Sequence, residues 1–123
     1  MNDFSLTEKI IGEAIFVHRH LGPGLLESTY QYCLFHRLRK VGLNVSMESP
    51  LPVYFDGVKI DCAYRLDLVV ENQVVIELKS VKRLKDIHLA QMITYLKLGG
   101  FPAGLLINYN VLKLVDGIKR VKN

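Results

Sequence analysis

The sequence predicts a single α/β (α+β) domain, residues 1–123, in which a mixed central sheet is flanked by helices. Apolar residues recur at helical spacing over roughly the first forty positions, and strand-like runs follow over roughly the next forty. A helix and another strand come after these runs, which gives the order ααβββαβ. A length of 123 residues also fits one domain.

The first helix is predicted to begin at the capping-box pattern of residues 5–8 and to end near Leu21. The Gly-Pro-Gly sequence of residues 22–24 ends it, because proline cannot continue the hydrogen-bond ladder and glycine accepts a left-handed cap. Two rows at helical spacing could form its apolar face: Leu6, Ile10, Ala14 and Val17, or Ile11, Ile15 and His18.

The second helix is predicted over residues 26–40, and Gly42 stops it. Apolar residues follow one another at intervals of four and predict its buried face: Leu26, Tyr30, Leu34 and Leu38.

Strand patterns begin near residue 45. Residues 51–55 and 58–60 form a predicted hairpin around the Asp56-Gly57 turn, and Pro50 and Pro52 place this stretch at an edge or a bulge. The nearly continuous apolar runs at 64–70 and 73–80 predict central strands that are covered on both faces.

The last part of the chain begins with a basic link at residues 81–85. A helix is predicted at 86–98, a strand at 103–108 and a last short strand at 111–115.

Composition excludes several classes of protein. The sequence has no apolar run long enough to cross a bilayer and no signal-peptide pattern, so we expect a cytoplasmic protein with no membrane partner. Cys33 and Cys62 belong to no zinc-binding pattern and are expected to be reduced. The net charge of +4 favours polyanionic partners weakly.

Asp67, Glu77 and Lys79 stand in strands that are otherwise apolar. Burying a charge is costly unless it is paired or ligated. If residues 71–73 form a three-residue hairpin loop, Asp67 lies opposite Glu77 on one face, and Lys79 shares that face; a two-residue loop would separate the carboxylates.

Two carboxylates about 5 Å apart repel by about 3 kcal/mol at an effective dielectric near 20. A hard divalent ion with oxygen ligands relieves this repulsion, and Lys79 could then orient an attacking water. The alternative is a buried ion pair without metal, either Glu77 with Lys79 or Asp67 with Arg65.

Other polar residues are candidates for the same face. Glu27 opens the second helix, where it could lean toward the sheet or only complement the helix dipole. Gln91 and Tyr95 are four residues apart on the third helix and could meet a phosphate or a base, or be ordinary boundary residues. A basic link could steer a phosphate or be solvated surface: Lys82, Arg83 and Lys85.

Five motifs in order resemble the PD-(D/E)XK nuclease superfamily, in particular its RecB-like branch. The segments are 24–30, 64–70, 76–80, 90–96 and 104–108. The first segment carries Gly24, Glu27 and Tyr30, and is most similar to a compact family named for its GxxExxY motif. The sequence departs from the pattern in having no proline before Asp67.

The resemblance implies a restriction-endonuclease-like core and a metal-dependent nuclease. In that interpretation Asp67 and Glu77 bind Mg²⁺ or Mn²⁺, Lys79 assists the attacking water, Glu27 is a further acidic residue of the metal site, and Gln91 contacts substrate or orders the site. The expected partner is nucleic acid, with DNA favoured over RNA, and a domain this small could gain substrate surface as a homodimer. The alternative is a nuclease-like module that binds nucleic acid or a protein without cutting.

Overall fold

The computed structural model describes residues 2–61 and 64–123, so that Cys62 lies outside the described residues; Cys33 carries a free thiol. These described residues form three α-helices and seven strands. The helices are α1 (Asp3–Leu21), α2 (Glu27–Lys40) and α3 (Asp86–Gly99). The strands are β1 (Val45–Pro50), β2 (Val53–Phe55), β3 (Val58–Ile60), β4 (Arg65–Val70), β5 (Val74–Lys79), β6 (Ala103–Asn108) and β7 (Ile118–Lys122).

Five of the strands form one mixed sheet in the order β1-β4-β5-β6-β7. Strand β5 is central and pairs antiparallel with β4 but parallel with β6. The parallel connection from β5 to β6 passes through α3, as such crossovers usually do. This arrangement confirms the predicted mixed sheet flanked by helices.

The hairpin of β2 and β3 is a separate two-stranded sheet. Its turn is the predicted Asp56-Gly57 pair, and both residues have positive φ, 53° and 75°. The main sheet, which does not include this hairpin, has three strands before α3 and two after it. Its elements therefore follow the predicted order ααβββαβ up to β6.

Two apolar clusters cover the two faces of the sheet. One joins α1 and α2 to residues of the central strands that include Leu68 and Ile76. The other joins α3 to residues that include Val69 and Val75. The residues of β5 from Val74 to Leu78 are buried, which confirms a central strand covered on both faces.

Helix α3 lies close to the sheet because β6 has a glycine beneath it. A Cβ atom at Gly104 would stand 2.6 Å from the sulfur of Met92, so a larger residue would require the Met92 side chain to shift.

Several details of the sequence prediction are wrong. The cap of α1 is Asn2, whose side chain accepts from the Ser5 amide at 2.8 Å, so the pattern at residues 5–8 lies within the helix. Leu26 is 74% exposed, because it precedes the first turn of α2 and does not face the sheet.

The strand predicted at residues 111–115 is also absent. That segment leads into a single 3₁₀ turn at Leu114–Gly117, and the last strand follows it as β7. Leu114 is buried in the α1 and α2 cluster, so its apolar character reflects the core and not a strand.

Candidate active site

Asp67 and Glu77 lie opposite each other on β4 and β5. The strands pair Leu68 with Ile76, Val69 with Val75 and Val70 with Val74, so the next residues in register are Asp67 and Glu77. Residues 71–73 form the loop, which confirms the predicted three-residue connection.

The two carboxyl groups replace part of the backbone ladder at this level of the sheet. Asp67 Oδ2 accepts from the Leu78 amide at 2.8 Å. Glu77 Oε1 accepts from the Asp67 amide at 3.2 Å. The strands are therefore joined here through their side chains, and the carboxylates are held at the point where β4 and β5 begin to separate.

Burial disfavours the charged forms of Asp67 and Glu77. Desolvation, followed by the charge of Asp67, raises the pKa of Glu77 to about 9. Desolvation also raises the pKa of Asp67, although the hydrogen bond from the Leu78 amide opposes that rise. At neutral pH the pair therefore holds one proton between the two acids, and a bound cation would relieve the same repulsion.

Lys79 is half-buried and follows Glu77 on the same strand by two residues. Its positive charge acts on both acids in the direction that lowers their pKa values, although burial outweighs it. The Lys79 ammonium thus lies near the pair without forming an ion pair with either acid. This arrangement differs from the proposed alternative of a Glu77–Lys79 or Asp67–Arg65 bridge, since neither occurs among the ion pairs of residues 2–61 and 64–123.

Glu27 lies at the start of α2 and reaches the end of β5. Its Oε2 atom accepts from the Ser80 amide at 3.1 Å, and the Ser80 hydroxyl donates to the Leu25 carbonyl at 2.7 Å. Tyr30 fixes the preceding loop, because its hydroxyl donates to the Gly22 carbonyl at 2.6 Å and accepts from the Leu25 amide. Glu27 is therefore hydrogen-bonded to the main chain one residue beyond Lys79, just after β5 ends.

The structure brings Asp67 and Glu77 together but leaves Glu27 apart from them. In the described part of the chain, no three His, Cys, Asp or Glu side chains are grouped closely enough to hold a metal ion. The Asp67–Glu77 pair nevertheless fits Mg²⁺, which typically takes one or two protein carboxylates and completes its shell with water and phosphate.

Gln91 and Tyr95 lie on the side of α3 that borders the carboxylates. Gln91 is exposed and lies one helical turn from the half-buried Tyr95. Burial, and then the charges of Glu77, Tyr64 and Asp67, raise the pKa of the Tyr95 phenol, which places its hydroxyl near the pair. The Tyr64 and Tyr95 rings lie 6.3 Å apart and form an aromatic border.

The basic link after β5 forms an open groove of about 630 Å³ with Val81 and His88. Its cations are exposed, and no described carboxylate lies within ion-pair distance of them: Lys82, Arg83 and Lys85. His88 Nδ1 accepts from the Lys85 amide at 3.0 Å, so the imidazole caps α3 and leaves Nε2 for other contacts.

A second cluster of basic residues lies near the end of the chain: Lys113, Lys119, Arg120 and Lys122. It differs from the link, because two of its members have partners on α1. Arg120 pairs with Glu8 and Lys122 pairs with Asp3. These ion pairs attach β7 to α1 at the other edge of the sheet. Of the two basic clusters, the link at residues 81–85 is the one that follows the strand with Glu77 and Lys79.

Sequence reasoning missed two residues beside Asp67. Gln31 on α2 is 8% exposed, and its amide nitrogen donates to the Asp67 carbonyl at 3.1 Å and to Glu48 Oε1 at 2.8 Å. The charge of Glu48 contributes to the raised pKa of Asp67. Neither residue carries a local signal, since each is an ordinary polar residue in its own helix or strand.

None of the described helices is both long enough and apolar enough to cross a membrane. A family model described as the PD-(D/E)XK nuclease superfamily matches residues 4–121. Searches of curated proteins and of solved structures found no match.

Proposed function

This chain belongs to the PD-(D/E)XK nuclease superfamily, and on that premise we propose that it is a Mg²⁺- or Mn²⁺-dependent nuclease that cleaves DNA in preference to RNA. The five-stranded mixed sheet flanked by helices is consistent with a restriction-endonuclease-like fold. The observation that carries the proposal is the buried Asp67–Glu77 pair, in which repulsion and burial raise the pKa of Glu77 to about 9. Two acids in this state are suited to exchange a proton for a cation.

Asp67 and Glu77 are the proposed metal ligands, with Glu27 as a further acidic residue whose carboxylate could reach the metal through water. When bound, Mg²⁺ or Mn²⁺ supplies Lewis acidity at the phosphate and lowers the pKa of a bound water. The backbone amides of Asp67 and Leu78 hold the two carboxylates in place before substrate arrives. Such fixed charges act without reorganising during the reaction.

Lys79 is proposed to assist the attacking water and to stabilise negative charge that develops on the phosphate oxygens. Its position supports this role, since it shares a strand with Glu77 but has no carboxylate within ion-pair distance among the described residues. Gln91 is proposed to contact substrate or to order the site through Tyr95. Phosphates further along the strand would meet the basic groove at Lys82, Arg83 and Lys85.

We further propose that the chain is a GxxExxY-type member of the RecB-like branch and acts in the cytoplasm. The role of Tyr30 supports the first part, because it fixes the loop that precedes Glu27. Homodimerisation is a further proposal, since a small domain gains substrate surface by pairing.

A nuclease panel tests the main proposal. Single-stranded DNA, double-stranded DNA and RNA are incubated with wild type in Mg²⁺, Mn²⁺, Ca²⁺ or EDTA, beside Glu77→Gln. The matched control is Glu71→Gln, which removes the same charge from the loop of the same hairpin. We expect Glu77→Gln to lose at least about 100-fold in cleavage rate and Glu71→Gln to keep wild-type activity.

The same proteins give a second measurement that does not depend on cleavage. Mn²⁺ should raise the Tm of wild type and of Glu71→Gln but not of Glu77→Gln, because a ligand stabilises the state that binds it. Cleavage that survives Glu77→Gln would indicate a contaminating enzyme. No cleavage of any substrate, together with a Tm that ignores both ions, would contradict the proposal.

A second candidate function is a nuclease-like module that binds nucleic acid or a protein without cutting. The observation that favours it is the separation of Glu27, which bonds to the Ser80 amide, from the Asp67–Glu77 pair. Under this alternative, wild type binds DNA in the panel conditions but leaves every substrate intact with each metal.

A further inference from the structure

The strand that carries Asp67 is interrupted at that residue on both sides. Toward β5, the paired register ends at Leu68. Toward β1, Leu68 pairs with Met47 and Leu66 pairs with Ser49, which leaves Asp67 opposite Glu48 without a ladder pair between them. Asp67 is thus the point at which β4 leaves the regular sheet.

The side-chain pattern changes at the same residue. Leu68 belongs to the cluster beneath α1 and α2, whereas Leu66, two residues away, belongs to the cluster beneath α3. In a regular strand, residues two apart share a face. The alternation of β4 therefore breaks at Asp67, and regular pairing cannot by itself hold the main chain there.

Glu48 shows the same break on β1. Its φ is 54°, in the left-handed region that a glutamate rarely adopts within a strand. Such a conformation persists only where surrounding contacts impose it. The Glu48 carboxylate accepts from the Gln31 amide at 2.8 Å, which connects this residue to α2.

Gln31 supplies hydrogen bonds at the point where the backbone ladder of β4 is interrupted. Its amide nitrogen donates to the Asp67 carbonyl and to the Glu48 carboxylate, and the side chain is 8% exposed. A buried amide with two acceptors has little freedom to move. Glu27, four residues earlier on α2, bonds to the Ser80 amide, so one face of α2 is attached to both site strands.

We propose that Gln31 is a positioning residue of the site, which fixes the Asp67 main chain by sharing one amide group between Asp67 and Glu48. The Asp67 carboxylate then stays directed at the Leu78 amide and at Glu77. The inference rests on the proposed function only in treating this pair as the active site; the geometry it invokes exists in the metal-free protein.

Amide hydrogen exchange measured by NMR tests the proposal in metal-free protein. The Leu78 amide donates to Asp67 Oδ2, so its protection reports whether the Asp67 side chain stays in place. Gln31→Met keeps an unbranched side chain of similar size and removes both hydrogen bonds. We expect exchange at Leu78 to rise at least about 10-fold relative to Ile76, which lies deeper in β5 and pairs with Leu68.

The matched control is Arg37→Met on the same helix. Arg37 bonds to Glu13 on α1, so this variant removes polar contacts of α2 that do not involve the sheet. A general loss of stability would raise exchange at Leu78 and Ile76 together, in either variant. Glu48→Gln keeps an acceptor for the Gln31 amide and should preserve the protection of Leu78, whereas Glu48→Met should lower it.

Kinetics then connect the geometry to the chemistry. If wild type cleaves DNA, Gln31→Met should lower kcat by about 10- to 100-fold and change KM little, as supporting residues around metal ligands usually do. Unchanged protection of Leu78 in Gln31→Met would overturn the inference. If wild type cleaves nothing and its Tm ignores both ions, while Gln31→Met still reduces the protection of Leu78, the proposed function is overturned and Gln31 keeps its positioning role.

Discussion

At the scale of single residues, Glu77 is an acid of the site whose charged form is strongly disfavoured. It is 9% exposed and shares its surroundings with Asp67, and both acids have raised pKa values because burial disfavours their charged forms. Structure alone would be served better by an apolar residue at this position. This unfavourable burial occurs where the proposed reaction needs a metal ligand.

The raised pKa of Glu77 predicts how the stability of the protein depends on pH. The pKa of Glu77 is about 9 in the folded protein against 4.5 ordinarily, so the folded state binds more protons than the unfolded state between these values. The free energy of unfolding of metal-free protein should therefore fall as pH rises through this window, by up to about 1.4 kcal/mol per pH unit.

Urea denaturation in EDTA between pH 5 and pH 8.5 measures that slope. Glu77→Gln imitates the protonated acid and should flatten the curve, because it cannot lose a proton. Equal slopes for wild type and Glu77→Gln would show that other groups dominate the pH dependence.

At the scale of secondary-structure elements, the β4–β5 hairpin sets which face the acids share. Its loop uses two residues with positive φ, Glu71 at 52° and Asn72 at 56°. Asparagine adopts that region readily, whereas glutamate does so at a cost. The loop thus keeps the register that the site needs with one unfavourable residue.

Replacing that residue should stabilise the protein without changing the site. Glu71→Asn should raise the free energy of unfolding by about 0.5–1 kcal/mol, since the new residue tolerates the left-handed conformation. Chemical denaturation measures the gain. Gln73→Asn, at the remaining loop position, is the control and should bring no gain. A destabilised Glu71→Asn protein would mean that the Glu71 side chain makes a favourable contribution of its own.

At the scale of the whole molecule, charge is distributed unevenly around the sheet. Arg120 and Lys122 near the end of the chain form ion pairs with α1, whereas the link at residues 81–85, which follows the strand that carries Glu77, presents three exposed cations. Such a cationic groove favours a polyanionic substrate, because it offsets the repulsion between phosphate and the carboxylate pair.

The groove should therefore determine how nucleic-acid binding depends on salt. Replacing Lys82, Arg83 or Lys85 by alanine should each lower the slope of log Kd against log salt concentration by about 1. Fluorescence anisotropy in EDTA measures binding without cleavage. Lys40→Ala is the control, since Lys40 lies at the end of α2 opposite to Glu27. An equal effect of Lys40→Ala would indicate non-specific attraction by net charge.

The sequence by itself determined the helices, most strands and the shared face of Asp67 and Glu77. These features depend on local periodicity and on the length of one turn, which neighbouring residues specify. It placed the last strand wrongly, because Leu114 is apolar for packing against α1 and α2 and not for pairing.

Only the tertiary structure decided what surrounds the acids. Gln31 and Asp67 are 36 residues apart, and Glu27 and Ser80 are 53 apart, yet each pair is joined by a hydrogen bond. The left-handed Glu48 and the raised pKa of Glu77 likewise depend on which elements meet and how much water they exclude. The local sequence pattern carries no information on these tertiary contacts, because they arise from packing between distant segments of the chain.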